Sequence, residues 1–418
     1  MITSKEEYVD ASFRLETYGI DGFEPIGSES EPDSLQIRGR GNWTWYGDFK
    51  KKPYRIKLRQ KTPMLGMASS KHFLLLAHAD DEMGFMRNAA GFELSRMMGL
   101  RYTPAFRPVE LVLNGSYEGL YFLTENIRVE KNRLDIVEQQ DYETDESKIT
   151  GGWLVEIDNN RDEHQLDFSV EGTDLEWFWI THHTPEELSE VQREYLRNEF
   201  ETILRAVYTA DKQSEELADH VDIDVLARFY VIQEVLDHLE AFLGSCYLYK
   251  DLGEVRWKFG PVWDFGHAFN GYHDKNRFMW DNEDFPVSII REIVKFPWFM
   301  DSVKTVWQEF YPDKAAMLET YLFDFKEQIK NAAARNYERW PEYGNADMDV
   351  RYQKVMDRYH EKVAFLASQW GDGSDAVYSV SDIGSRDVKI YNLSGREVVR
   401  PLKTGVYISS GRKIVYRR

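Results

Sequence analysis

Alternation with a period of two dominates the start of the chain. In 54–58 (YRIKL), Tyr54, Ile56 and Leu58 fall on one face and Arg55 and Lys57 on the other, the pattern of a half-buried strand. Short apolar runs bounded by Gly, Pro and Ser predict further strands across residues 1–62. The period then lengthens. Phe85, Ala89, Phe92 and Met97 share one face of a helix expected over about 82–98, with Gly99 as its C-terminal stop. Residues 108–127 (PVELVLNGSYEGLYFLTENI) read as a hairpin turning at Asn114-Gly115.

After an acidic, apolar-poor stretch at 138–150 and a strand at 151–158 (GGWLVEID), helical periodicity takes over. Thr184-Pro185-Glu186-Glu187 has the form of a helix start, with Thr as cap and Pro at the first helical position. Helices are expected at about 185–209, 222–243, 287–296, 313–335 and 347–369, interrupted by a hairpin at 246–263. Strands with one helix, then helices with one hairpin, make an α+β arrangement of two lobes, 1–135 and 136–371. Residues 375–418 change character again: short strands joined by Ser-Gly and Thr-Gly turns form a small β module.

Composition narrows the function. The chain has 418 residues and a formal net charge of −20, which disfavours nucleic acid and anionic membrane as main partners. Neither a membrane-spanning apolar run nor a basic-then-apolar leader is present in these residues. A single cysteine, Cys246, lies inside an apolar strand and reads as a packing residue. The histidines have no metal-ligand spacing, although His267 and His273 lie close in sequence to Asp264.

Against this acidic background, residues 34–58 gather positive charge and glycine. Gly39 and Gly41 leave backbone N–H groups open to an anion, with Arg38, Arg40, Arg55 and Lys57 around them. The bland alternative is a twisted hairpin with a solvated basic edge. Glu93, on the helix after the first strands, is placed to pair with a strand lysine if that helix packs on the sheet. The sharpest signal is 260–266 (GPVWDFG): Asp264, expected at the end of an apolar strand, suits a Mg²⁺ ion that bridges phosphates. Protein kinases run in the order catalytic loop, hairpin, metal-binding Asp-Phe-Gly. In that order Asp237 or Glu240 takes the place of the catalytic base. Ser245 stands where a metal-binding Asn is found, with four residues between it and Glu240. Asp158 with Asp264 as a glycosidase pair has no independent signal.

Residues 34–58, 86–100 (MRNAAGFELSRMMGL), 109–133, 151–158 and 260–266 together resemble the spore-coat protein H (CotH) kinase family. The resemblance implies an atypical protein-kinase-like fold, binding of Mg²⁺ and ATP, and phosphate transfer to Ser or Thr of a protein. Carried over position by position, Asp264 matches the metal-binding Asp, with Ser245 at the second metal position. The lysine-bearing strand matches at 51–57, with Lys57 as the phosphate contact and Arg38, Arg40 and Asn42 nearby, and Glu93 matches the helix acid. The catalytic segment departs from the family pattern: 237–249 (DHLEAFLGSCYLY) offers Glu240 or Asp237 as the acid and Ser245 in place of Asn. A catalytically impaired, kinase-shaped surface protein that binds a protein or glycan is therefore the second reading, with the aromatic stretch 270–286 as its contact surface. Residues 375–418 resemble a shortened type IX secretion sorting domain, which implies export and a cell-surface or extracellular life.

Overall fold

The computed structural model describes residues 2–79, 81–160, 164–175, 177–269, 276–282, 285–344 and 347–371, and the backbone of four strands within 390–416. Residues 1–372 form one compact unit and 373–418 a second, so the expected lobe boundary at 135/136 lies inside the first.

Six antiparallel strands open the first unit: β1 (Val9–Phe13), β2 (Asp33–Gly39), β3 (Tyr54–Thr62), β4 (Ser70–Leu76), β5 (Phe106–Leu113) and β6 (Ser116–Glu125). Their order is β1-β2-β3-β4-β6-β5. Alternation sends the two faces to different places. Leu35, Ile37, Ile56, Phe73, Leu75 and Tyr121 fill a small core on one side. On the other, Leu74, Leu76 and Phe122 join the main core. Arg38, Arg55 and Lys57 lie on that second face, where β2 and β3 extend beyond the helical packing; Arg38 pairs with Arg55 across the ladder and Gln36 with Lys57.

A short helix α1 (Trp43–Tyr46) follows β2, and α2 (Met86–Met97) follows β4. The second sheet comprises β7 (Trp153–Asp158), β8 (Gln165–Phe168), β9 (Phe178–Thr184), β10 (Cys246–Lys250) and β11 (Lys258–Phe259), in the order β11-β10-β7-β9-β8. The remaining helices are α3 (Glu190–Val207), α4 (Glu216–His220), α5 (Ile223–Val235), α6 (Ile290–Ile293), α7 (Pro297–Phe310), α8 (Asp313–Arg339) and α9 (Met348–Trp370). Among the described residues no helix is long and apolar enough to cross a membrane. The second unit is a four-stranded sheet, Ile390–Asn392, Glu397–Val398, Gly405–Ser409 and Arg412–Tyr416, all paired antiparallel.

Several boundaries differ from expectation. Thr184 is the last residue of β9, held opposite Leu154, so it does not cap a helix. The cap is Ser189, whose hydroxyl accepts from the Gln192 N–H at 3.2 Å while Gln192 Oε1 accepts from the Ser189 N–H at 2.9 Å. Helix α5 stops at Val235 rather than near 243, which places Asp237 and Glu240 in a loop. The expected helix at 287–296 is a single turn, and a separate helix begins at Pro297 in its N-terminal position. Strand β11 ends at Phe259, so Asp264 stands five residues beyond a strand. Most of the aromatic stretch singled out at 270–286, with His273, lies outside the described residues or without regular structure.

Candidate functional site

The loop after α5 is built by its own backbone. Asp237 N–H donates to Glu234 O at 3.0 Å and His238 N–H to Gln233 O at 3.0 Å, closing the helix. Ala241 N–H then donates to His238 O and Leu243 N–H to Glu240 O, at 3.2 and 3.0 Å, which makes a tight turn around Glu240. Helix α5 is buried nearly all round, as its almost unbroken apolar sequence requires, so this loop hangs from a rigid support. His238 packs on the Phe265 ring at 5.3 Å between centroids. Its Nδ1 meets Gln233 Oε1 at 2.9 Å. Burial lowers the His238 pKa to about 3, so the imidazole is neutral and Nδ1 carries the proton as donor.

Glu240 points away from that packing. Asn159, just after β7, donates to Glu240 Oε1 at 2.7 Å, and His267 Nε2 lies 3.6 Å from Oε2. Burial, and then the charge of Asp264, raise the Glu240 pKa above the usual carboxylate range. Continuing the register of Cys246 opposite Ile157 by one residue sets Ser245 opposite Asp158. Asp158 is also pushed up, to about 6, by burial and then by Glu156.

Asp264 is presented by a clamped segment. Trp263 and Phe265 on either side are buried, while Asp264 is exposed with φ +50°. Asn88 on α2 accepts the Phe265 N–H at 3.0 Å. Arg87 donates to Ala268 O at 2.8 Å, and Arg358 on α9 donates to Phe269 O. Opposite stands Arg40, one residue beyond β2, with its guanidinium 5.8 Å from the Trp263 ring. Burial works against the Arg40 charge, and Asp264, Tyr247 and Glu156 partly offset that cost.

Of the sequence-derived candidates, Arg40, Glu240 and Asp264 converge, with Ser245 one ladder step from Asp158. The others do not join them. Asp237 is buried and bonded to Lys362 at 3.0 Å. Arg38 donates to Lys5 O and Glu6 O at 2.7 and 3.1 Å, and Asn42 accepts from Lys5 at 2.7 Å. Glu93 pairs with Arg96 at 2.9 Å rather than with a strand lysine. Lys57 lies on the Arg40 side of the sheet but further out, opposite His72. The neighbouring lysine run turns elsewhere: Lys50 pairs with Glu342, Lys52 donates to Trp45 O and Gly47 O, and Lys51 is buried.

Sequence reasoning missed Asn88, Asn159 and His238. For His238 the signal was present: His238-x-Glu240 followed by Ser245 has the spacing of the kinase His-x-Asp…Asn loop. Among the described residues, no group of three or more His, Cys, Asp or Glu is arranged to hold a metal ion by itself.

A His-x-Glu loop packed on a Trp-Asp-Phe-Gly segment, within curled sheets and helices, is the constellation of a kinase-like α+β protein. The chain belongs to the CotH kinase protein family, whose sequence model matches residues 37–366. No curated protein matches the chain.

Proposed function

We propose that the cleft between Arg40, Glu240 and Asp264 binds ATP with Mg²⁺, in a two-lobed, kinase-like arrangement, and transfers phosphate to Ser or Thr of a protein. The observation that carries this reading is Arg40 facing Asp264. Among the described residues neither side chain has a hydrogen bond or an ion pair of its own, although burial makes a bare guanidinium costly. An anion on Arg40 and a cation on Asp264 relieve both, so the residues fit a metal-bound polyphosphate. Mg²⁺ commonly takes one or two carboxylates and fills its other positions with phosphate oxygens and water, so Asp264 with Ser245 or Asp158 is a sufficient protein share. When bound, the metal ion neutralises charge on the transferring phosphoryl group.

The chain's own residues supply the remainder. Arg40 orients the phosphates from the sheet side. Glu240, its basicity increased by burial and by Asp264, accepts the proton of the attacking hydroxyl. Asn159 holds Glu240 Oε1, which leaves Oε2 toward His267 and the open side. His238 and Asn88 keep the catalytic loop and Asp264 in register.

The test is calorimetric titration of ATP with and without Mg²⁺, alongside phosphate incorporation into candidate proteins. Binding is expected to need Mg²⁺ and to disappear in Arg40→Ala and Asp264→Ala. Transfer, but not binding, is expected to disappear in Glu240→Gln. Failure of wild-type protein to bind Mg-ATP at millimolar concentration overturns the reading.

A second reading rests on the replacements at 240 and 245: a carboxylate displaced by about one methylene can lose roughly 100-fold in rate. Nucleotide binding without measurable transfer, together with capture of a protein or glycan, is its expected signature. Export through the C-terminal β module belongs to either reading. It is checked by fractionating cells that make the chain with and without residues 375–418.

A further inference from the structure

The face of the first sheet that carries Arg40 continues well past the candidate site. Neighbouring positions across the ladder are Asp10, Gln36, Lys57 and His72. Beyond them two concavities meet at Lys71. One, of about 250 Å³, is lined by Lys57, Arg59 and Lys71, with Asp10 at its rim. The other, of about 270 Å³, is lined by Lys61, Lys71, His72, Arg128 and Lys131, with Glu130 and Glu138.

Most of these cations are uncommitted. Lys61 pairs with Glu130 at 2.6 Å. Among the described residues, no hydrogen bond or ion pair engages the side chains of Lys57, Arg59, Lys71 or Lys131, and Arg128 Nε is buried without a partner. The field is strong enough to act on His72: burial, then the charges of Arg128, Arg55 and Lys57, lower its pKa to about 4. In a chain of net charge −20, these cations without a protein partner leave one locally positive surface open to an acidic ligand.

We propose that the trough centred on Lys71 is a docking site for an Asp/Glu-rich peptide segment of a protein partner. Charge complementarity selects the occupant. Arg and Lys side chains spaced along a groove suit successive carboxylates. The acidic rim and the acidic remainder of the protein restrict the favourable field to a short stretch. A long nucleic acid overruns it into like charge. Asp264 faces Arg40 at the other end of the sheet face, so docking here is independent of nucleotide binding.

Fluorescence anisotropy of a short labelled oligoglutamate with the full chain tests the site. Binding at low salt that weakens as salt rises is expected. Lys71→Glu/Lys131→Glu is expected to lose at least about tenfold in affinity with unchanged circular dichroism. Saturating Mg-ATP, and separately Asp264→Ala, are expected to leave affinity within about twofold, because distant independent sites rarely couple. Equal affinity of the double variant, displacement of the peptide by Mg-ATP, or tighter binding of an RNA oligomer of the same charge overturns the proposal. Because Asp264→Ala abolishes nucleotide binding but spares docking, failure of one reading is distinguishable from failure of the other.

Discussion

The Phe265 ring lies where a side chain at Gly91 would be: a Cβ built on Gly91 stands 2.1 Å from Phe265 Cδ2. Helix α2 has no side chain at that point so that the ring next to Asp264 can lie on its backbone. Asn88, one turn earlier, accepts the Phe265 N–H from the same helix face.

Gly91→Ala therefore has no low-cost accommodation. The expected result is a loss of about 1–3 kcal/mol in denaturant unfolding, typical of an overpacked core. The ring escapes by moving the segment that bears Asp264, so the Mg-ATP affinity proposed above is expected to fall as well. Phe265→Leu in the Gly91→Ala background is expected to recover stability, and a double-mutant cycle measures the coupling.

Lys362 on α9 holds two acids at the root of the loop that carries Glu240. Its ammonium lies 2.6 Å from Glu234 and 3.0 Å from Asp237, and it donates to Arg277 O at 2.7 Å. All three side chains are buried. Lys362→Met removes the ammonium that the two buried carboxylates share, and removal of one partner from a buried ion pair typically costs about 3–5 kcal/mol. Thermal unfolding is expected to show that loss at neutral pH. Combining it with Glu234→Gln and Asp237→Asn is expected to restore a large part of it, because the two negative charges that Lys362 offsets are then removed as well.

Asp158 sets a pH dependence of known sign. Its folded pKa of about 6 lies above the ordinary carboxyl value of 3.8. Below that ordinary value both states hold the proton and nothing is lost. As pH rises toward 6 the unfolded chain ionises first, so stability falls through the window and stays lower above it. Asp158→Asn is expected to raise stability at pH 7 by on the order of 1–2 kcal/mol, after discount for solvent screening, and to change little at pH 4. His78 and His238, both held near 3 by burial, work the other way. They destabilise the fold as pH drops below about 6.5, where the unfolded imidazoles take up protons. Unfolding midpoints of wild type and variant across pH 4–8 separate the two.

Lys51 is buried with its ammonium 2.7 Å from Ala77 O, 2.5 Å from Leu120 O and 2.8 Å from Asn336 Oδ1. It joins the first sheet to α8. Lys51→Met removes this donor from all three oxygens, although Asn336 Oδ1 keeps the Leu120 N–H at 3.1 Å, and each unsatisfied buried group costs about 1–3 kcal/mol. A drop of roughly 2–4 kcal/mol in urea unfolding is expected, with no change in Mg-ATP affinity once the variant is folded.

What the chain's local pattern determined is the element inventory and the chemistry of single positions. Period-two alternation in 54–58, the Asn114-Gly115 turn and the helical periodicity of 313–335 and 347–369 depend on neighbours a few residues apart, and each appears as an element of that type. The WDFG stretch marked Asp264 by its apolar flanks and by the hairpin that precedes it.

Partnership was decided elsewhere. Lys50, Lys51 and Lys52 look alike in sequence, yet one meets Glu342, one is sealed against α8 and one folds back on α1. Asp237 and Glu240 are both acids three residues apart; the fold brings Lys362, 125 residues away, to the first and Asn159 to the second. Glu93 lost its expected lysine because α2 turns it toward Arg96. Long-range pairing depends on which faces the folded layers bring together, and the free energy of a buried charge depends on that environment far more than on its chemical type.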